Sequence, residues 1–196
     1  MWIGGRFRTR RQPVNPQNKY SSAHEAIADN IRLVKDFPAP GVVFEDLTPV
    51  LADAEAFHAI VTALVKVCRE LGADFIGALD ARGFLLGSAV AYELGVGVLA
   101  IRKRGKLPPP VHSVEYDLEY GTSALEIPAD AWDIAGTRVV LIDDVLATGG
   151  TMAAAARLVR QEGAEVTGYA VVLEVAGLGG RAVLDDAPLV VINDLH

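Results

Sequence analysis

From residue 74 onward, short apolar runs alternate with stretches of helical period. Phe75-Ile76-Gly77-Ala78-Leu79, Val96 to Ile101, Val139 to Ile142, Val166 to Leu173 and Leu189 to Ile192 read as buried strands. Helical patterns near Phe84 to Glu93 and Met152 to Glu162 separate some of them. Continuous apolar strands joined by helices predict an α/β fold, a mostly parallel central sheet with helices on both faces. In such sheets ligands collect beyond the carboxyl ends of the strands. That rule directs attention to the residues from Asp80, from Arg102 and from Asp143.

Upstream, helical patterns run from about Ala23 to Val34 and from Ala54 to Leu71. Asp36-Phe37-Pro38-Ala39-Pro40-Gly41 lies between them, and two prolines with a glycine cannot continue a helix. Ser113 to Tyr120 and Ser123 to Ile127 flank Gly121-Thr122, a turn signal for a hairpin. The chain of 196 residues suits one domain, expected over 21–196. Residues 1–20, with Arg6, Arg8, Arg10, Arg11 and Lys19 and no acid, read as a disordered basic extension.

Charge and cysteine content exclude several classes. The extension holds five of the 18 bases, which leaves 13 bases against 25 acids in the remainder. A body so acidic is a poor nucleic-acid binder, because phosphate contacts need clustered Lys and Arg. No apolar run approaches a membrane span or a secretory signal, so the cytoplasm is the expected compartment. Cys68 is alone, which excludes an intrachain disulfide, and its apolar surroundings read as a buried thiol.

The strongest chemical signal is Val139-Val140-Leu141-Ile142-Asp143-Asp144-Val145-Leu146-Ala147-Thr148-Gly149-Gly150-Thr151. Four apolar residues deliver Asp143 and Asp144 to a strand end, where paired carboxylates can accept hydrogen bonds from vicinal ribose hydroxyls. Ala147, Thr148, Gly149, Gly150 and Thr151 can offer backbone amides and two hydroxyls to a phosphate at a helix N-terminus. The bland alternative is a turn with a helix cap. Asp80-Ala81-Arg82-Gly83 also follows a strand, and Arg82 could be a surface residue or a forked donor to a polyanion. Arg102, Lys103, Arg104 and Lys106 fall within five residues, either a solvated face or the counter-charge of a polyanion.

These segments resemble the signatures of the type I phosphoribosyltransferases, which bind 5-phosphoribosyl 1-diphosphate. The resemblance implies that family's sheet, with a hairpin flap and a small N-terminal base-binding hood. It assigns the ribose hydroxyls to Asp143 and Asp144, the 5-phosphate to Ala147–Thr151, and the diphosphate to Ala81, Arg82, Arg102, Lys103 and Lys106. It also implies a cis peptide bond at Asp80-Ala81. Phe37 to Pro49, Arg102 to Pro108 and Leu118-Glu119-Tyr120-Gly121 are similar to the adenine-using branch of the family. By that likeness Phe44 stacks on adenine, Val175 packs on its other face, and Val43 and Glu45 read its edge through backbone groups. Relatives commonly carry Arg at the position of Glu45. Val42 to Phe44 could otherwise be a short core strand.

The activity implied is purine salvage, in which adenine and phosphoribosyl diphosphate give AMP and diphosphate. Glu119 is the implied acid or base, unless it is merely an exposed hairpin carboxylate, and Tyr120 belongs to the flap. Mg²⁺ is expected, held mainly through substrate rather than directly by the protein. A homodimer is the expected assembly. The rival readings are an enzyme for a 6-oxopurine, which would want a donor such as Lys near the base, and a non-catalytic sensor of phosphoribosyl diphosphate.

Overall fold

A computed structural model describes residues 19–37, 39–118, 121–130 and 133–195. Helix α1 (Ala23–Asn30) starts at Ser22, whose hydroxyl accepts the Glu25 amide at 3.2 Å. Helix α1 is shorter than its sequence pattern. Asn30 turns its side-chain amide back to the Ala26 carbonyl, and Ile31 is already extended. The following residues form strand β1 (Arg32–Lys35), paired antiparallel with β2 (Val43–Asp46). Arg32 and Asp46, opposite each other in that register, form an ion pair that closes the ribbon. This long-range pairing overrides the helical period of Ile31 to Val34.

Helix α2 (Thr48–Ala52) leads into α3 (Ala54–Glu70), capped by the Asp53 carboxylate, which accepts the amides of Glu55 and Ala56. Then come β3 (Phe75–Leu79), α4 (Arg82–Leu94) and β4 (Gly97–Lys103). The hairpin β5 (Val111–Leu118) and β6 (Gly121–Pro128) follows, and then β7 (Arg138–Leu146), α5 (Gly150–Gln161), β8 (Glu165–Glu174) and β9 (Leu189–Val191).

Seven strands form one sheet in the order β5-β6-β4-β3-β7-β8-β9. The five from β4 to β9 are parallel, and the hairpin adds an antiparallel edge through β6. Side chains alternate across the pleat into two cores. Ile76, Val140, Ile142, Ala170 and Val172 pack with α1, α3 and α4 on one side. Leu99, Leu141, Tyr169 and Val171 pack with α5 and the hairpin on the other. Cys68 is fully buried in the first core, and burial pushes its thiol up to about 12.

Strand β7 is longer than its apolar run. Asp143 and Val145 stay in register with Val171 and Leu173, because β8 is itself apolar that far and supplies a ladder partner. The two acids therefore sit inside the sheet rather than past its end. Residues 1–18 of the expected extension lie outside the described residues. Tyr20, its last member, is packed at 4% exposure and accepts a 2.7 Å hydrogen bond from the Asn30 amide. Among the described residues, no helix is long and apolar enough to cross a membrane.

Candidate active site

The sheet order reverses between β3 and β7. From β3 the chain crosses by α4 to β4 on one side, and from β7 by α5 to β8 on the other. A crevice forms at such a switch point, where the two crossover helices diverge. Here the cleft encloses about 590 Å³ and takes in Asp80, Ala81 and Arg82 after β3, Lys103 at the end of β4, and Asp143 and Asp144 on β7.

Close packing shapes its floor. The Asp80-Ala81 peptide bond is cis, and α4 begins at the next residue. A Cβ at Gly83 would stand 2.7 Å from the Ile142 carbonyl oxygen and 3.0 Å from Asp143 Oδ1, so only glycine lets this turn lie on β7. Arg82 Nε lies 2.6 Å from Asp144 Oδ2. The contact is an ion pair rather than an aligned hydrogen bond, since that buried oxygen has no directed donor. Asp143 Oδ1 accepts the Asp144 amide at 2.9 Å. Burial and the neighbouring Asp144 charge raise the Asp143 carboxyl well above its ordinary range.

A second, smaller hollow of about 90 Å³ continues from the cleft among Ala147, Thr148, Gly149 and Thr151. Gly149 caps α5 in the left-handed conformation, φ 79°, and no side chain occupies the cap. The first amides of α5 are thus available to an anion. The loop is held from behind. A Cβ on Gly149 would lie 2.3 Å from the Gly180 carbonyl oxygen, and one on Gly180 would lie 2.2 Å from that of Ala147. Arg181, next in sequence, donates to both Glu174 oxygens and ties this turn to the end of β8.

Much of the remaining lining is apolar. Val42, Val43, Phe44, Leu173, Val175 and Leu178 all line the cleft, together with Glu45. Phe44 is half-buried, with Phe37 edge-on at a ring separation of 5.2 Å. Val43 is 54% exposed, so β2 is a strand but not a core strand.

The cleft thus gathers most of the residues selected from sequence. Arg102 does not line it. Arg102 Nε lies 3.6 Å from Asp80, and its guanidinium donates to the Lys106 carbonyl at 3.1 Å. Lys106 is exposed and also outside the lining. Glu119 and Tyr120 lie outside the described residues. Asp80 and Val145 lie within segments the sequence brought forward but were given no role there, and sequence reading did not single out Leu178 or Gly180. The glycines at 177, 179 and 180 were the available signal for a tight turn, but nothing local linked them to the Ala147–Thr151 loop.

The phosphoribosyl transferase domain model matches residues 50–193. The chain is 69% identical over 175 residues to the adenine phosphoribosyltransferase of Corynebacterium diphtheriae, across 89% of this chain and 95% of that protein. It belongs to the adenine phosphoribosyltransferase family.

Solved structures of that family share the fold. The adenine phosphoribosyltransferase from Thermoanaerobacter pseudethanolicus matches with a TM-score of 0.81 at 46% identity, covering 86% of this chain and 98% of its own. The Saccharomyces cerevisiae adenine phosphoribosyltransferase, complexed with an imino-altritol bisphosphate and adenine, matches at 0.80 and 36% identity, covering 87% and 98%. The region matched by the family model starts at Val50 and so excludes β2 with Phe44, whereas the adenine phosphoribosyltransferases match over most of the chain.

Proposed function

We infer that the chain transfers the 5-phosphoribosyl group from 5-phosphoribosyl 1-diphosphate to adenine, giving AMP and diphosphate in purine salvage. One observation carries the reading. A paired carboxylate, an uncapped helix N-terminus in a glycine loop, and an apolar slot open into a single cleft. A ribose phosphate bearing a flat base has that sequence of chemistries.

In this reading the 5-phosphate sits on Ala147–Thr151 and the ribose hydroxyls on Asp143 and Asp144. Arg82 and Lys103 receive the diphosphate, and Ala81 offers backbone. Adenine lies between Phe44 and Val175. Strand β2 has a strand partner on one side only, which leaves backbone donors and acceptors near Val43 and Glu45 for the base edge. Glu45 then needs no side-chain contact. The bond from the anomeric carbon to diphosphate breaks as the bond to the base nitrogen forms. Glu119 is assigned to the adenine proton by family likeness.

Among the described residues, no cluster of three His, Cys, Asp or Glu side chains could hold a metal ion. Asp144 Oδ2, which has an ion-pair partner in Arg82 but no directed hydrogen-bond donor, and its neighbour Asp143 suit a Mg²⁺ ion that is held mainly through substrate oxygens and water. When bound, it offsets the charge of the departing diphosphate. A homodimer is supported by the outer face of α4, where Leu85 and Tyr92, two turns apart, are 56% and 85% exposed.

The test is AMP formation from adenine and phosphoribosyl diphosphate with Mg²⁺, set against hypoxanthine and guanine. Turnover with adenine alone is expected, and it should stop on chelation. Equal turnover of a 6-oxopurine would reject the base assignment.

A further inference from the structure

We propose that Glu126 is a positioning residue that sets the basic loop at the end of β4 for diphosphate. Among the described residues three charged side chains are buried, namely Asp46, Glu126 and Asp144. Asp46 closes the β1–β2 ribbon, and Asp144 lines the cleft. Glu126 is on β6, 6% exposed, and outside the cleft. A buried carboxylate is costly unless its oxygens are matched by donors and a counter-charge.

Among the described residues its polar partners are in the basic loop. Glu126 Oε2 accepts the Gly105 amide at 2.9 Å, and Oε1 lies 4.0 Å from Arg104 Nε. Arg104 also donates to Glu115 on β5 at 2.7 Å, and its amide bonds the Ala124 carbonyl at 2.9 Å. Glu126 stands opposite Arg102 in the β4–β6 register, and Leu125 stands opposite Lys103. Regular pairing ends there, and Gly105 turns the chain at φ 78°.

The Glu126 carboxylate therefore takes over where the ladder stops. It holds the turn against the mutual repulsion of Arg102, Lys103, Arg104 and Lys106. The fixed turn aims Lys103 into the cleft and keeps Arg102 beside Asp80. Glu126 touches neither substrate in this arrangement and acts through the loop. The inference rests on the reading above that Lys103 meets the diphosphate.

Steady-state kinetics in each substrate, on the full chain with Mg²⁺, separate the two ideas. Glu126→Ala should raise KM for phosphoribosyl diphosphate about tenfold or more, the usual effect of losing a charge-assisted hydrogen bond. KM for adenine should stay within about twofold, as expected for a site Glu126 does not contact. Glu126→Gln keeps an acceptor of the same length for Gly105 and should recover much of the loss. In a Lys103→Met background Glu126→Ala should add little, since both act on one contact.

If Lys103→Met raises that KM and no Glu126 variant does, positioning by Glu126 is wrong and the diphosphate reading survives. If Lys103→Met leaves it unchanged, the diphosphate reading fails and this proposal with it. Should Glu126→Ala not fold, Glu126→Asp, which withdraws the carboxylate by one methylene, must still raise KM for the sugar substrate alone. A wild-type value there would overturn the proposal.

Discussion

Arg82 and Asp144 are paired across the cleft, Nε to Oδ2 at 2.6 Å, although each is assigned to a different part of one substrate. In the free chain each covers the other. A ligand carrying both a ribose and a diphosphate can replace the pair with two contacts, whereas diphosphate alone would leave a buried carboxylate without its counter-ion. Arg82→Met should therefore raise KM for phosphoribosyl diphosphate roughly ten- to a hundredfold and leave that for adenine unchanged. Arg82→Lys should rescue it only in part, since an ammonium cannot make the forked contact. Full activity in either variant would remove Arg82 from the site.

Asp143 gives a pH dependence of opposite sign to that of Asp46 and Asp74. Its carboxyl, raised by burial and by the Asp144 charge, holds its proton in the fold above the ordinary value of 3.8. Stability of the ligand-free chain should accordingly fall as pH rises from about 4 through the raised value. Asp143→Asn removes that penalty. We expect it to melt higher than the parent at neutral pH, by about 2–4 °C for each kcal/mol recovered, while losing affinity for the sugar substrate. Equal melting temperatures at pH 7 would count against the shift. Asp46, lowered to about 2 by hydrogen bonds from Thr48 and by Arg32, and Asp74, lowered to about 2 by Arg138, stabilise the fold above 3.8. That contribution disappears as pH falls toward about 2.

The base and the proton can be separated kinetically. Phe44→Ala should raise KM for adenine by the worth of one stacked base, roughly 1–3 kcal/mol, and spare the sugar substrate. Glu119→Gln should instead lower turnover on the order of 10²-fold with both affinities largely intact. Single-turnover measurements decide the second case, and a parental chemical rate would end the role assigned to Glu119.

Gly180 tests the support of the Ala147–Thr151 loop proposed for the 5-phosphate. Gly180→Ala places a methyl 2.2 Å from the Ala147 carbonyl oxygen, so the loop or the turn must shift. Overpacking of this kind costs about 1–3 kcal/mol. The melting temperature should fall, by about 2–4 °C per kcal/mol, and KM for phosphoribosyl diphosphate should rise with it. Unchanged kinetics would mean that the loop does not depend on this buttress.

Much of the site was legible because its chemistry is local. A phosphate loop needs glycines and hydroxyls in consecutive positions ahead of a helix, and Ala147–Thr151 supply them within one short string. The apolar runs at Phe75, Val139 and Val166 declared a buried sheet for the same reason, since a strand covered on both faces has no polar side to show. The glycine after Arg82 was visible too, but its reason was not. Only packing against the Ile142 carbonyl explains it.

The tertiary structure decided whatever depends on a distant partner. The helical period runs on to Val34, yet Arg32–Lys35 forms a strand, because Val43–Asp46 offers a ladder and Asp46 a counter-charge. Asp143 and Asp144 lie within β7 because β8 runs equally far beside them. Leu178, Gly180 and Glu126 entered the account through what they touch across the fold, not through their neighbours in the chain. Sequence by itself determined which groups are chemically able to hold a phosphorylated ribose. Their burial, pairing and aim were decided by contacts between residues far apart in the chain, which no local pattern of side chains encodes.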